Sequence, residues 1–310
     1  MNIIGHQKIV EFLNRSIKQN KITHAYLFYG PENVGKETVA IRFVTNLLTK
    51  NFKKEEKTKI ENQIIKRIHP DIYWLEKEGG KKNISIEQIR NLQTILSLKP
   101  LSDSYKIAII NRAEEMNIAA ANSFLKILEE PPLRSIIILL VNNLKALPET
   151  IISRCLLIKF NPVPLKEIKK FLIEVYKLPE SEAEVFSQLS FGRPGLVMQF
   201  LKNPEKYQEN KKGVENFLNL LKVNLAERFN FVNKNLENWP FLTWQIVLRD
   251  CLLIKNGLKP INEKEKIETI AKKWPEKKFY QIIKLIEKIQ KQIKLNVNKR
   301  LALENLVINL

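Results

Sequence analysis

The residues with the clearest chemical potential form a glycine-rich loop. Residues 30–36 read GPENVGK, which has the spacing G-x-x-x-x-G-K. Glycines let the backbone N–H groups of such a loop turn toward a phosphate, the start of the following helix adds partial positive charge, and lysine adds a point charge. A short apolar segment precedes the loop and a helical pattern follows it, as the motif requires. The sequence therefore predicts a phosphate-binding loop with Gly30, Gly35, Lys36 and Thr38 as candidate nucleotide contacts.

Several residues that a hydrolytic loop needs are altered. The position after the lysine should be Ser or Thr to ligate magnesium, but Glu37 stands there and Thr38 follows one step later. Such an enzyme also uses an acid after the third strand to hold magnesium, and often a second acid to activate water. Asn111 and Arg112 occupy those positions. The loop is therefore degenerate and ATP hydrolysis is not expected, although Glu114 leaves an ATP-hydrolysing protein as the alternative.

A second candidate is an arginine between the last two predicted strands. Arg154 lies between Ser153 and Cys155 in a short loop. Taken alone, it is a surface residue or one partner of a structural ion pair. In a ring of phosphate-loop modules, however, an arginine can reach the γ-phosphate of a neighbour and stabilise the charge of the transition state.

The elements that would position these residues alternate between strands and helices. Strands separated by helices predict a parallel sheet with right-handed crossovers. Ser85 is a good N-cap for one of the helices, because apolar residues follow it at helical spacing. The predicted strands are residues 24–29, 71–75, 106–110, 135–141 and 156–160.

The pattern becomes helical throughout after residue 161. Three short helices are predicted at residues 165–176, 180–189 and 194–201, and long amphipathic helices follow. The predicted fold class is therefore α/β plus all-α. The predicted domains are a phosphate-loop parallel-sheet domain at 1–161, a small three-helix domain at 162–204 and a C-terminal helical domain at 205–310.

Composition excludes several classes of protein. With 310 residues, 44% of them hydrophobic and 27% charged, the chain is not generally disordered. No apolar run approaches the roughly 18 residues of a membrane span, and no signal peptide is recognised, so a cytoplasmic location is expected. Two cysteines, Cys155 and Cys251, are too few for a disulfide framework or a four-thiolate zinc site. The net charge of +19 suits contact with a polyanion and leaves a DNA-binding regulator as a further alternative.

Taken together, several segments of the sequence resemble a known family. The segments most specific to that family are residues 125–132 (LKILEEPP) and the Ser-Arg-Cys triplet at 153–155. The phosphate loop alone is not specific to it. The chain resembles the delta-prime family of bacterial clamp-loader subunits, which belong to DNA polymerase III and to the AAA+ superfamily. The other matching segments are residues 4–7, 24–28, 30–36, 69–71, 98–100 and 300–304.

The resemblance implies three AAA+ domains, namely a nucleotide fold, a helical lid and a helical collar. It implies a hetero-pentameric ring with delta and the gamma or tau ATPase subunits, within the DNA polymerase III holoenzyme, a DNA-directed DNA polymerase and nucleotidyltransferase. That ring opens the sliding clamp and places it on primed DNA during replication. The resemblance also implies that this member does not hydrolyse ATP and donates Arg154, within the Ser153–Cys155 motif, to a neighbouring ATP site. No cofactor is expected to be required, and weak binding of ATP or ADP is left open.

The sequence departs from the family pattern in two places. Family members often carry a four-cysteine zinc module before the His-Pro-Asp segment, but residues 50–68 contain no cysteine, so zinc is not expected. The ATPase subunits have an arginine where Gly195 aligns, so the nucleotide-sensing arginine of the lid is absent and Arg193 is not assigned its role. Asn142 and Asn143 occupy the region that senses γ-phosphate in active relatives, and neither is assigned a role.

Overall fold

The computed structural model describes residues 2–50, 52–101, 105–237, 239–258, 260, 264–294 and 297–310. The chain divides into two compact units, the first ending at Leu196 and the second beginning at Val197. The finer division into three domains stays a prediction. No helix in the described part of the chain has both the length and the apolar character needed to cross a membrane.

A five-stranded parallel sheet forms the centre of the first unit. Its strands lie in the order β2-β3-β4-β1-β5, and every pairing is parallel. The predicted fold class, with its parallel sheet, is thereby confirmed, and strand ends differ from the sequence-based bounds by only one residue. The strands are β1 Ala25–Tyr29, β2 Ile72–Leu75, β3 Lys106–Asn111, β4 Ser135–Val141 and β5 Leu156–Lys159.

Both faces of the sheet are covered by helices. All seven residues of β4 are buried, which explains why this strand is apolar throughout rather than alternating. Successive side chains enter opposite cores: Ile136 and Ile138 pack in one buried cluster, and Ile137 and Leu139 in the other. The helices of this unit are α1 Gln7–Lys18, α2 Lys36–Leu48, α3 Lys54–Ile65, α4 Ile86–Ser97, α5 Ile118–Glu129, α6 Glu149–Ile152, α7 Leu165–Tyr176 and α8 Glu180–Leu189.

The predicted N-cap at Ser85 is confirmed. Its Oγ accepts a hydrogen bond from the backbone N of Gln88, whose side chain accepts one from the Ser85 backbone in return. This reciprocal capping box satisfies two N–H groups that have no partner inside the helix. Local sequence therefore sets the start of α4.

The His-Pro-Asp segment at residues 69–71 has a structural place in this unit. Asp71 and Lys106 are buried and form an ion pair, with Oδ1 and Nζ 3.2 Å apart. The same Oδ1 accepts a hydrogen bond of 2.8 Å from the backbone N of Leu101, and Lys106 also donates to the carbonyl of Pro70. These contacts join the His-Pro-Asp segment to Leu101 and to the start of β3.

The second unit is entirely helical in the part that the structure describes. Its core is rich in aromatic side chains, and the rings of Phe217 and Trp244 meet edge to face with centroids 5.0 Å apart. A ninth helix, α9, spans Pro194–Lys202, and its first three residues belong to the first unit. The helices that follow are α10 Pro204–Leu220, α11 Leu225–Lys234, α12 Phe241–Lys255, α13 Lys264–Lys273, α14 Glu276–Lys294 and α15 Lys299–Ile308.

Candidate functional site

The phosphate-type loop lies between β1 and α2, in the strand–loop–helix frame that the sequence predicts. Gly30 has a φ of +151°, and a Cβ at this position would lie 2.2 Å from the carbonyl oxygen of Phe160. Gly35, with a φ of +114°, precedes Lys36, the first residue of α2. Only glycine fits at residue 30, and glycine is also favoured at residue 35. Thr38 lies half-buried on the first turn of α2.

Lys36 is buried, and its ammonium group forms hydrogen bonds within the protein. Its Nζ donates hydrogen bonds of 2.7 Å to the carbonyls of both Gly30 and Pro31, and one of 2.9 Å to Oδ1 of Asn142. An ammonium group has three N–H donors, so all three have protein partners. Burial lowers the pKa of Lys36 to about 8, although the carboxylates of Glu114 and Glu32 oppose this shift. A phosphate at the loop would compete with these internal acceptors for the ammonium group.

Two further carbonyls of the loop are hydrogen-bonded to distant parts of the first unit. The ring of His6 contacts the carbonyl oxygen of Val34 through Nε2 at 2.9 Å, and since a carbonyl only accepts, Nε2 carries the proton. Burial lowers the pKa of His6, which favours its neutral form. The backbone N of Gly195 donates to the carbonyl of Asn33 at 2.9 Å. These contacts fix the loop from both sides.

Gly195 is placed where a side chain does not fit. A Cβ at this position would lie 2.9 Å from the carbonyl oxygen of Asn33 and 3.1 Å from its Cβ. At Gly195, where the family resemblance implies that a nucleotide-sensing arginine is missing, the backbone contacts the loop directly. Burial lowers the pKa of Arg193, two residues earlier, and the carboxylate of Glu32 opposes that shift.

The position of the water-activating acid holds a cation that is paired with the loop. Arg112 has a φ of +50°, and its guanidinium forms an ion pair with Glu32 of the loop. A second, longer contact of 3.5 Å joins Arg112 to Glu115. An arginine cannot accept a proton from water at neutral pH. Arg112 therefore occupies the space near the loop without supplying a general base.

The two altered magnesium positions belong to one ion-pair network. Glu37 pairs with Arg67 at 3.3 Å, and Arg67 pairs with Glu76 at 2.9 Å. Glu76 also accepts a hydrogen bond of 3.4 Å from the amide of Asn111, and Arg67 lies over the ring of Trp74 at 4.6 Å. A carboxylate beside a phosphate repels it, but Arg67 faces Glu37 and offsets this negative charge.

Glu114 lies in the first turn of a short helical segment, the three-residue 3₁₀ turn Ala113–Glu115. Its Oε1 accepts a hydrogen bond of 3.0 Å from the backbone N of Asn142. Its Oε2 is buried and has no hydrogen-bond partner among the residues that the structure describes. Asn143 caps the next turn through the backbone N of Lys145 and does not join this cluster.

Arg154 lies apart from the loop, just after α6. Its side chain is 38% exposed, and its Nη2 lies 2.7 Å from Oε1 of Glu129, the last residue of α5. Its Nη1 donates a hydrogen bond of 3.0 Å to the carbonyl of Thr150, to which Ser153 also donates. Cys155 is half-buried, and burial raises its pKa to about 12, so it remains a thiol. Among the described residues, none of these contacts reaches the loop.

Metal ligands were not expected from the sequence. Within the described ranges, the structure shows no group of three or more His, Cys, Asp or Glu side chains that could hold a metal ion. The absence of structural zinc stays a prediction.

Comparison with known proteins places the chain in a family. The family described as DNA polymerase III, delta subunit, matches residues 5–164. The DNA polymerase III subunit delta′ of Pseudomonas aeruginosa is 30% identical over 301 residues, which cover 92% of this chain and 90% of that protein. The chain therefore belongs to the DNA polymerase III delta subunit family, and its resemblance to the delta-prime type is confirmed.

Two relatives from Bacillus subtilis align over smaller parts of their length. Subunit delta′ is 34% identical over 171 residues, which are 54% of this chain and 51% of that protein. Subunit tau is 24% identical over an alignment that covers 100% of this chain and 61% of tau. The chain thus spans about half of the first of these relatives.

Proposed function

We propose that this chain is a non-hydrolysing, delta-prime-type subunit of a DNA polymerase III clamp loader. In this role it assembles with delta and with gamma or tau ATPase subunits into a hetero-pentamer. That assembly places the sliding clamp on primed DNA during replication. The chain contributes Arg154 to the ATP site of a neighbouring subunit and requires no cofactor of its own.

The observation that carries this proposal is the set of internal partners of Lys36. Its three donors are hydrogen-bonded to the loop and to Asn142, so binding a nucleotide would require their exchange. The positions for magnesium and for a general base hold residues that are paired with other side chains, as Glu37 and Arg112 are. A loop whose lysine and altered positions are all paired within the chain fits a structural role better than ATP hydrolysis.

The position of Arg154 supports its role in trans. An exposed ion pair of the Arg154–Glu129 kind contributes only about 0–1 kcal/mol to stability. The fold therefore does not depend on this arginine, and its guanidinium is accessible to a partner. A planar guanidinium donates two parallel hydrogen bonds to phosphate oxygens, which a lysine cannot do.

The test is reconstitution of the complete loader with Arg154→Ala. Assembly should persist, ATP hydrolysis should fall, and clamp loading should fall further because it requires the ATP sites to act together. An arginine of this kind is worth about 10³–10⁵ in rate at one site, and several sites in one ring dilute the loss in total hydrolysis. Arg154→Lys should not restore full activity, and Arg15→Ala, at an exposed arginine on α1, is the matched control.

The results with Arg154→Ala distinguish a role in trans from a structural role. Unchanged hydrolysis and clamp loading in a fully assembled ring would reject the role in trans. Loss of folding or assembly in Arg154→Ala would instead favour a structural ion pair with Glu129. Native mass measurement of the purified assembly checks the partners independently of activity.

One observation favours the alternative of an ATP-hydrolysing subunit. Oε2 of Glu114 is buried without a hydrogen-bond partner in the described part of the chain, and the carboxylate lies close enough to Lys36 to influence the pKa of that residue. A buried acid near a phosphate-type loop is a candidate general base. If the isolated chain hydrolyses ATP and both Lys36→Ala and Glu114→Gln abolish this, the alternative is correct.

A further inference from the structure

The contact between Arg154 and Glu129 joins two segments that are 25 residues apart in sequence. Glu129 ends α5, and Arg154 follows α6 after one residue. The distance of 2.7 Å between Nη2 and Oε1 is that of a charge-assisted hydrogen bond. The carbonyl of Thr150 accepts from Nη1 of the same guanidinium, so two acceptors hold two different nitrogens.

The frame that brings the two residues together does not depend on their ion pair. Ile127 and Leu128 of α5 and Ile151 of α6 are all buried in the same apolar cluster. Both side chains of the pair are partly exposed, with 38% exposure for Arg154 and 50% for Glu129. Packing therefore fixes the two backbones, and the pair itself determines only where the guanidinium points.

The geometry of the guanidinium leaves donors for a third partner. The group has five N–H donors in a rigid fork. Glu129 accepts from Nη2, and Thr150 accepts from Nη1, which also has a longer contact of 3.5 Å with Oγ of Ser153, so Nε–H and one N–H of Nη2 remain. A long, exposed arginine without such contacts distributes over many rotamers, and this freedom is lost when it docks on an anion. Holding the fork in advance lowers that cost and is the general advantage of preorganisation.

We propose that Glu129 is the positioning residue of Arg154. It holds the guanidinium of Arg154 in one orientation, with its remaining N–H groups available to a phosphoryl group on a neighbouring subunit. This inference rests on the proposed function, because it has meaning only where Arg154 acts in trans. Glu129 itself does not touch the nucleotide.

The experiment measures ATP hydrolysis and clamp loading by the reconstituted loader with variants at both positions. Glu129→Ala should lower the Arg154-dependent part of kcat by about 1.4- to 5-fold, the range expected for an exposed ion pair, with little change in KM. Glu129→Gln keeps an oxygen that can accept the same hydrogen bond and should restore most of this loss. Glu130→Gln is the matched control, since Glu130 is the exposed neighbour and forms no ion pair within the described residues.

A double-mutant cycle separates positioning from a general structural effect. In the Arg154→Ala background, Glu129→Ala should have no further effect, because it acts only through the arginine. Additive losses, an unchanged rate or a raised rate for Glu129→Ala alone would overturn the inference. If Arg154→Ala itself leaves the rate unchanged, the proposed function fails. If only Arg154→Ala lowers the rate, the proposed function stands and the role of Glu129 is rejected.

Discussion

Lys36 and Asn142 are joined by a hydrogen bond of 2.9 Å, although 106 residues separate them in sequence. The register of the sheet explains the contact: Tyr29 pairs with Val141, so the loop after β1 begins beside the residue that follows β4. Asn142 is held in turn, because its backbone N donates to Glu114. The lysine of the loop is therefore part of a network that extends across three strands of the sheet.

Burial of Lys36 makes stability depend on pH. Its pKa is about 8 in the fold, against 10.5 for an ordinary lysine. Between these values the unfolded chain binds more protons at Lys36 than the folded chain, so the free energy of unfolding rises with pH. We expect wild type to gain up to about 3 kcal/mol relative to Lys36→Met between pH 8 and 10.5. Urea unfolding of both proteins across this range measures the difference, and a flat difference would contradict the prediction.

The internal partners of Lys36 also predict poor nucleotide binding. Magnesium-ATP would have to displace three hydrogen bonds of the ammonium group and approach the Glu32 carboxylate. We therefore expect no measurable heat when magnesium-ATP is titrated into the isolated chain in a calorimeter. A tau or gamma ATPase subunit under the same conditions is the positive control. Tight binding that Lys36→Ala abolishes would show that these internal contacts exchange readily.

The sequence is a good guide to the elements and a poor guide to the contacts between them. The strands and the Ser85 cap follow from local periodicity and turn chemistry, and the structure reproduces them within a residue or so. The contacts of Lys36 with Asn142 and of Arg154 with Glu129 depend on strand order and helix packing, which no local pattern contains. The hydrogen bond between Asn142 and Glu114 is a contact of the same kind, since these residues lie 28 positions apart in sequence.

The close approach of Gly195 to the loop gives a stability prediction. Gly195→Ala should destabilise the chain by about 1–3 kcal/mol, the usual cost of overpacking, because its Cβ would lie 2.9 Å from the carbonyl oxygen of Asn33. For the same reason, Gly195→Arg should not give the chain measurable binding of magnesium-ATP. Chemical denaturation measures the first effect and calorimetry with magnesium-ATP the second.

Gly79 provides the matched control for this substitution. A Cβ there would meet no atom within 4 Å, so Gly79→Ala should be neutral or slightly stabilising, by up to about 1 kcal/mol. Equal effects of the two substitutions would show that the contact between Gly195 and Asn33 does not constrain the loop.

The buried pair of Asp71 and Lys106 predicts the largest loss of stability. Their side chains are 1% and 8% exposed, so Asp71→Asn would leave the ammonium group of Lys106 charged and without its counter-ion in the interior. The asparagine oxygen can still accept from the backbone N of Leu101, and the change therefore isolates the charge. We expect a loss of about 3–5 kcal/mol in the free energy of unfolding, the usual cost of removing one partner of a buried pair.

The double variant Asp71→Asn with Lys106→Met decides whether the charge is the cause. Removing the second charge should recover most of the loss, because a buried ion pair and an apolar replacement differ little in net stability. The exposed pair of Lys170 and Glu174, 3.7 Å apart on α7, is the control, and Glu174→Gln should change stability by less than about 1 kcal/mol. If the double variant were no more stable than Asp71→Asn alone, the loss would come from packing or hydrogen bonding around residues 69–71, and the electrostatic explanation would be wrong.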